Sequence, residues 1–231
     1  MTYFRHLAIF ILLLILLAGC AARQLPPSEP LNPAAIITTL TSSVALSVKA
    51  GDKGLSGRGY LIMRAPDQFR LVILSPFGTT LAEMFLAGDE LLYLASSQNL
   101  AYRGSLRDLP DAPALQGWRL LRWTTERVLP ETPGQLRFSR QRAGGEEETV
   151  FFDRQGLVLK KRMDGDEVRY EGYQSITGVP VPTAIEIIDR TGITVRITLD
   201  EPEVNEPLDE KAFIPTLDGV TVLPLSQFPT S

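Results

Sequence analysis

Few side chains in this 231-residue chain are suited to covalent chemistry, and the most reactive is Cys20, its only cysteine. A lone thiol can carry a modification but cannot close a disulfide within the chain. The only histidine, His6, opens an apolar run, Leu7–Ala18, that leads into Leu17-Ala18-Gly19-Cys20. If that run is removed, no imidazole remains for base catalysis near neutral pH or for zinc. Ser-His-Asp and Cys-His layouts are then eliminated, while carboxylate or Ser-Lys chemistry is not excluded. Glu146-Glu147-Glu148 follows Gly144-Gly145 and reads as a solvated hairpin. Asp164-Gly165-Asp166-Glu167 lacks the further ligands of a calcium loop and reads as a turn. Gly57-Arg58-Gly59 lacks the strand-to-helix context of a phosphate loop; glycine inside a strand marks a bulge or a close approach. No catalytic group, metal or cofactor is expected.

The elements around these residues follow from composition and period. Leu7–Ala18 is shorter than the roughly 17–25 residues that cross a bilayer as a helix. It has the size of a signal-peptide core, and small residues follow where a cleavage site belongs; an uncleaved anchor and an ordinary secretory signal are the other readings. Removal at Gly19 leaves Cys20–Ser231, with 22 basic and 27 acidic side chains. No basic excess remains, which argues against a nucleic-acid partner. Pro26, Pro27, Pro30 and Pro33 make residues 20–33 an extended tether. Residues 34–223 form one domain, and 224–231 a tail.

Asn32 and Pro33 open a short helix candidate carrying Ile36, Ile37 and Leu40 on one stripe and ending by Thr41 or Ser42. From Val44 the period becomes two. Strands are expected at Leu55–Arg64, from Phe69, at Thr79–Ala87, Leu91–Ala95, Ala101–Arg103, Leu136–Arg142, Glu147–Phe152, Leu157–Met163, Val168–Tyr173, Ala184–Ile188 and Ile193–Leu199. Turn signals every 8–12 residues mean an antiparallel meander. Prolines bracket a helical segment between Ser105 and Pro133, with Leu115, Trp118 and Leu121 on one face. Trp118 and Trp123 either pack in the core or belong to a lid. The fold is therefore mainly β (α+β): a single antiparallel sheet of about eleven strands, curled because a sheet that large cannot stay flat, with short helices over its concave face.

Several stretches resemble known families. Leu17-Ala18-Gly19-Cys20 resembles a bacterial lipoprotein box, which implies cleavage before Cys20 and lipid on its thiol and new amino terminus. Ala21, where inner-membrane retention in enterobacterial lipoproteins uses Asp, implies the outer membrane, facing the periplasm. Gln68-Phe69-Arg70-Leu71 through Ser75-Pro76-Phe77-Gly78-Thr79-Thr80-Leu81 is similar to the receptor of the LolA/LolB superfamily, where a strand leads into a loop whose exposed leucine enters the membrane. Phe77 occupies that leucine's position. Tyr170-Glu171-Gly172-Tyr173, Ile185-Glu186-Ile187 and Ile193–Leu199 are also receptor-like. Leu208-Asp209-Glu210-Lys211-Ala212-Phe213 and Gly219-Val220-Thr221-Val222 resemble the carboxyl end of the soluble carrier. The carrier's Arg-Pro pair is replaced by Ala65-Pro66, with Arg64 one position early. The resemblance implies an incomplete barrel with a helical lid over an apolar cavity.

Charge fixes which face would line that cavity. If Lys49, Arg58, Glu83, Glu186 and Arg196 point to water, neighbours of opposite parity point inward. Those are Val44, Leu46, Leu61, Met63, Met84, Leu86, Ile185, Ile187, Val195 and Ile197, with Trp118 and Leu121 above them. The expected partners are acyl chains of lipoproteins or lipids, the outer membrane and a periplasmic carrier protein, for a monomer without enzymatic activity. The alternative is an envelope assembly or structural lipoprotein that binds a protein partner and has no cargo cavity.

Overall fold

The computed structural model describes residues 31–109 and 120–229. The expected signal peptide, Cys20, residues 20–30 of the tether, Leu115 and Trp118 lie outside the described residues. Fifteen strands are present among those described: β1 (Thr39–Ala50), β2 (Lys53–Arg64), β3 (Gln68–Leu74), β4 (Thr80–Ala87), β5 (Glu90–Ala95), β6 (Leu100–Ser105), β7 (Arg137–Gln141), β8 (Glu147–Phe152), β9 (Val158–Met163), β10 (Asp166–Glu171), β11 (Gln174–Ile176), β12 (Val179–Val181), β13 (Ala184–Ile188), β14 (Thr194–Val204) and β15 (Thr221–Pro224). Thirteen form one sheet in the order β15-β6-β5-β4-β3-β2-β1-β14-β13-β10-β9-β8-β7; β11 and β12 make a separate ribbon. The sheet is open, with β15 and β7 at its edges.

Two meanders meet where β1 pairs with β14, from Leu40–Val204 to Lys49–Thr194. Most neighbouring strands are joined by tight hairpins, which is why local sequence reveals them. At the β9–β10 turn, Asp164 and Gly165 both take positive φ, 48° and 84°, as the favoured Asp-Gly hairpin requires.

Three expectations fail. The helix expected from Pro33 is a turn: the Ala34 N–H donates to Asn32 Oδ1 at 3.0 Å and the Ala35 N–H to the Asn32 carbonyl at 2.9 Å. The β-branched residues that follow extend into β1, because pairing with β2 and β14 outweighs the weak local stripe. The large sheet has thirteen strands, more than the eleven expected, with the four-residue β15 at one edge, and the three-residue β11 and β12 form a separate ribbon. It is also mixed, not purely antiparallel, because β15 returns along the edge and runs parallel to β6.

The carboxyl-terminal residues bind both faces. On the outward face, Leu217 and Val220 pack on Phe85, Leu92, Leu94 and Ala101. Arg64 donates to Glu210 at 3.1 Å and to the Leu208 carbonyl at 3.2 Å, with its guanidinium over Phe213. Arg70 bridges Glu83 and the Ala212 carbonyl. Arg64 is thus spent on the carboxyl-terminal segment. Beyond β15, Leu225 is fully buried, and Phe228 stacks edge-on against Tyr93 and Tyr102, both at 5.1 Å. Gly104 makes room for this: a Cβ there would lie 2.7 Å from Leu225 Cβ.

Candidate functional site: the inward face and its exposed end

Register places the inward residues. Val44 faces Leu199 and Gly59; Leu61 faces Leu71; Met63 faces Phe69; Met84 faces Leu71; Ile187 faces Val168 and Val195. Of the residues singled out from sequence, Val44, Leu61, Met63, Met84, Leu86, Leu121 and Ile197 are buried in the largest core cluster, where Leu46 and Val195 are partly buried. Ile187 is buried in a second cluster with Ile185 at its margin. The face assignment takes Lys49, Arg58, Glu83, Glu186 and Arg196 to point to water. Lys49 and Arg58 are exposed, while Glu83, Glu186 and Arg196 are half-buried in ion pairs on the outward side.

Burial along this face is graded. Met63, Phe69, Leu71, Met84 and Leu86 are sealed at one end. Leu46, Val48, Ile73 and Val195 are only partly covered, and Leu55, of the same parity as Leu61, is 75% exposed. Along the same stretch β2 offers two positions without side chains, Gly57 opposite Leu46 and Gly59 opposite Val44. Gly59 is obligatory for the backbone: a Cβ there would stand 1.8 Å from the Val72 carbonyl oxygen. Phe77 caps this end, in a turn set by Ser75, whose hydroxyl accepts from the N–H groups of Phe77 and Thr79. Its side chain is 93% exposed.

A helical segment at 120–125 covers part of the face, with Leu120 and Trp123 on Val168, Tyr170 and Ile187. Its carboxyl end leaves carbonyls without intrahelical partners. Buried cationic and phenolic donors satisfy them: Lys161 Nζ donates to the Trp123 carbonyl at 2.8 Å and to that of Glu126, and the Tyr170 hydroxyl donates to the Thr124 carbonyl at 2.6 Å. Lys161 is 1% exposed. Burial pushes its ammonium down from 10.5 to about 8, against the opposing pull of Glu148 and Glu126.

Glu148 is a further correction to the sequence reading. It is not part of a solvated run but 0% exposed, because β8 alternates and position 148 points inward with Val150 and Phe152. It accepts from Trp123 Nε1 at 2.5 Å and from Arg140 Nε at 2.6 Å, with Arg142 at 3.3 Å. Burial raises its pKa, but the Trp123 and Arg140 hydrogen bonds outweigh that and hold the carboxyl below its usual range. Arg140 and Arg142 also bind Glu126, at 3.1 and 2.6 Å. This network ties the helical segment to β7–β10. Sequence reasoning missed it; the signal available was the period-two alternation through Glu148, Val150 and Phe152.

A groove of about 420 Å³ lies elsewhere, lined by Arg137, Glu147, Thr149, Arg162 and Asp164–Glu167. Its walls are mostly charged, and no cluster of potential metal ligands occurs among the described residues. No helix among them is long and apolar enough to cross a membrane.

Comparisons with known proteins agree with this architecture. The most informative solved structures are similar in fold only. A DUF1329 family protein from Desulfovibrio piger has a TM-score of 0.56 at 13% identity, covering 77% of this chain and 90% of that one. A putative outer membrane lipoprotein-sorting protein domain from Vibrio parahaemolyticus has a TM-score of 0.50 at 10% identity, covering 76% and 89%. No curated protein sequence matches significantly. The sequence model of the family described as outer membrane lipoprotein LolB matches residues 39–201, which run from the first residue of β1 into β14 and take in the Phe77 turn, the Lys161–Glu148 network and the graded apolar face. The chain belongs to the LolB outer membrane lipoprotein family.

Proposed function

We propose that this protein is an outer-membrane-anchored receptor, lipidated at Cys20 and facing the periplasm, that accepts acyl chains of lipoproteins or lipids and passes them to the membrane near Phe77. One observation carries the reading: the apolar inward face does not end at the sealed core but runs on through Leu46, Val48, Ile73 and Val195 to Leu55 and Phe77 at an open end. In this reading Val44, Leu61, Met63, Met84, Leu86, Leu121, Ile185, Ile187 and Ile197 form the apolar wall that backs the bound hydrocarbon, and Trp118, outside the described residues, is expected to belong to it. The side-chain-free position at Gly57, opposite Leu46, leaves space there, since only Ile73 Cγ2, at 3.7 Å, comes near the place a Cβ would take. Methionine suits such a wall because its unbranched thioether adapts to flexible chains.

Transfer is non-covalent and follows the relative burial of hydrocarbon in donor, protein and bilayer. A periplasmic carrier is the donor. A Phe77 side chain gains about 1.5–3 kcal/mol on burial, enough to dock the open end but not to hold the protein, so the acyl chains on Cys20 anchor it.

The test is a titration with a fluorescent fatty acid followed by delivery to liposomes. Saturable uptake is expected, weakened by Leu46→Glu or Ile73→Glu, both at half-covered positions that tolerate charge better than the core. Phe77→Glu is expected to take up cargo normally and to deliver it poorly. Folded protein that shows no saturable uptake refutes the carrier reading, and unchanged delivery by Phe77→Glu refutes the role of the tip.

A further inference from the structure

We infer that the β1–β2 hairpin is a second membrane contact beside Phe77, and that it selects anionic phospholipid headgroups. The inference rests on Phe77 being the membrane-facing tip, as proposed above.

The geometry sets hairpin and tip side by side. β2 and β3 pair from Arg64–Gln68 to Arg58–Leu74. Leu55 lies three residues beyond the last pair on β2 and Phe77 three residues beyond it on β3, so both stand past the same end of this ladder. Leu55 and Phe77 are both strongly exposed, so the rim presents two large apolar side chains from adjacent hairpins. An exposed aliphatic residue at a hairpin end has no folded-state benefit and is suited to the interfacial region of a bilayer.

Charge says which bilayer. Between Lys49 and Arg58 the chain carries Lys49, Lys53 and Arg58 against the single acid Asp52. All four are exposed. Among the described residues, none of the three cations forms a salt bridge, whereas Arg169 and Arg196, on β10 and β14, pair with Glu167, Glu186 and Glu171. Parity distributes the cations around the apolar residue: Lys53 shares the inward side with Leu55, while Lys49 and Arg58 lie outward. The β3–β4 turn from Ser75 to Thr79 and the β5–β6 turn from Ser96 to Asn99 carry no charge. The protein as a whole is acidic, with a formal net charge of −4, so a general attraction to anionic surfaces is absent and a local one must come from this rim. Basic residues near an anionic surface contribute additively and within a Debye length, at about fivefold in binding per Lys or Arg.

The test uses the full lipidated protein reconstituted in vesicles of phosphatidylcholine alone or with one quarter phosphatidylglycerol. A fluorophore at Asp52→Cys, the one free thiol when Cys20 is acylated, reports headgroup contact through a spin-labelled lipid quencher. Contact is expected to be at least tenfold greater in the anionic vesicles, and to fall there with 0.5 M salt and with Lys49→Glu/Lys53→Glu. Equal contact in both vesicles, or none lost in the double variant, overturns the inference. Fatty-acid uptake on the same preparations separates the two readings. Uptake that persists while contact ignores lipid charge leaves the carrier function and removes the headgroup preference. Contact that persists while uptake is absent does the reverse.

Discussion

Lys161 gives the sharpest quantitative test of the described packing. Its ammonium is almost completely buried and its pKa is depressed from 10.5 to about 8. Below pH 8 both folded and unfolded chains hold the proton, and the cost of burying the charge is fully present. Between pH 8 and 10.5 the unfolded chain holds a proton that the folded protein has released, so stability rises with pH across that window. At 1.36 kcal/mol per tenfold change in proton activity, this one group adds about 2 kcal/mol between pH 7 and 9.5. Tyr93 and Tyr170, raised by burial, act in the opposite sense. Their unfolded-state phenols ionise near pH 10, which sets the upper limit of the useful range. The helical segment stays anchored as Lys161 deprotonates, because a neutral amine keeps two N–H bonds for its two carbonyl partners, those of Trp123 and Glu126. The response is therefore a gain in stability, not a release. Urea unfolding of the wild-type protein and of Lys161→Met at pH 7, 8, 9 and 9.5 isolates the effect. The difference in unfolding free energy should shift by about 2 kcal/mol in favour of wild type across the series, whatever its value at pH 7. Parallel profiles would mean that the amine is hydrated and that the network over β8–β10 is not packed as described.

Two further substitutions probe the same architecture. Glu148→Ala removes the acceptor of Trp123 and Arg140 and leaves buried donors uncompensated, for an expected loss of about 3–5 kcal/mol in urea unfolding; a loss under 1 kcal/mol would place the carboxylate in solvent. Gly59→Ala sets a methyl against the Val72 carbonyl, which cannot move without breaking the β2–β3 ladder, so a loss of about 3 kcal/mol is expected at the upper end of overpacking costs, read as a lower melting temperature; an unchanged melting temperature would contradict the close approach of β2 and β3.

Much of the fold was legible because most of its strands are joined locally. Alternation in Val44-Ala45-Leu46-Ser47-Val48 or Ile193–Leu199 reports the buried side directly, and Asp164-Gly165 fixes a hairpin by its own backbone preference. The inward set from Val44 to Ile197 could be written down for the same reason. What failed was short or non-local. β15 has four residues and pairs with β6 across more than a hundred positions of chain, so no local pattern marks it. Ile36, Ile37 and Leu40 fit a helical stripe as well as the approach to β1.

Sequence alone therefore determined most of the strands and their parity, because each depends on neighbours along the chain, and it singles out Cys20 as the expected lipidation site. Only the tertiary structure decided that Glu148 is the acceptor at the centre of a buried network and that Arg64 holds the carboxyl-terminal segment. It also decided that Leu55 and Phe77 both stand exposed. A charge is buried, paired or left at a rim according to which distant strands surround it, and that is a property of register across the whole sheet.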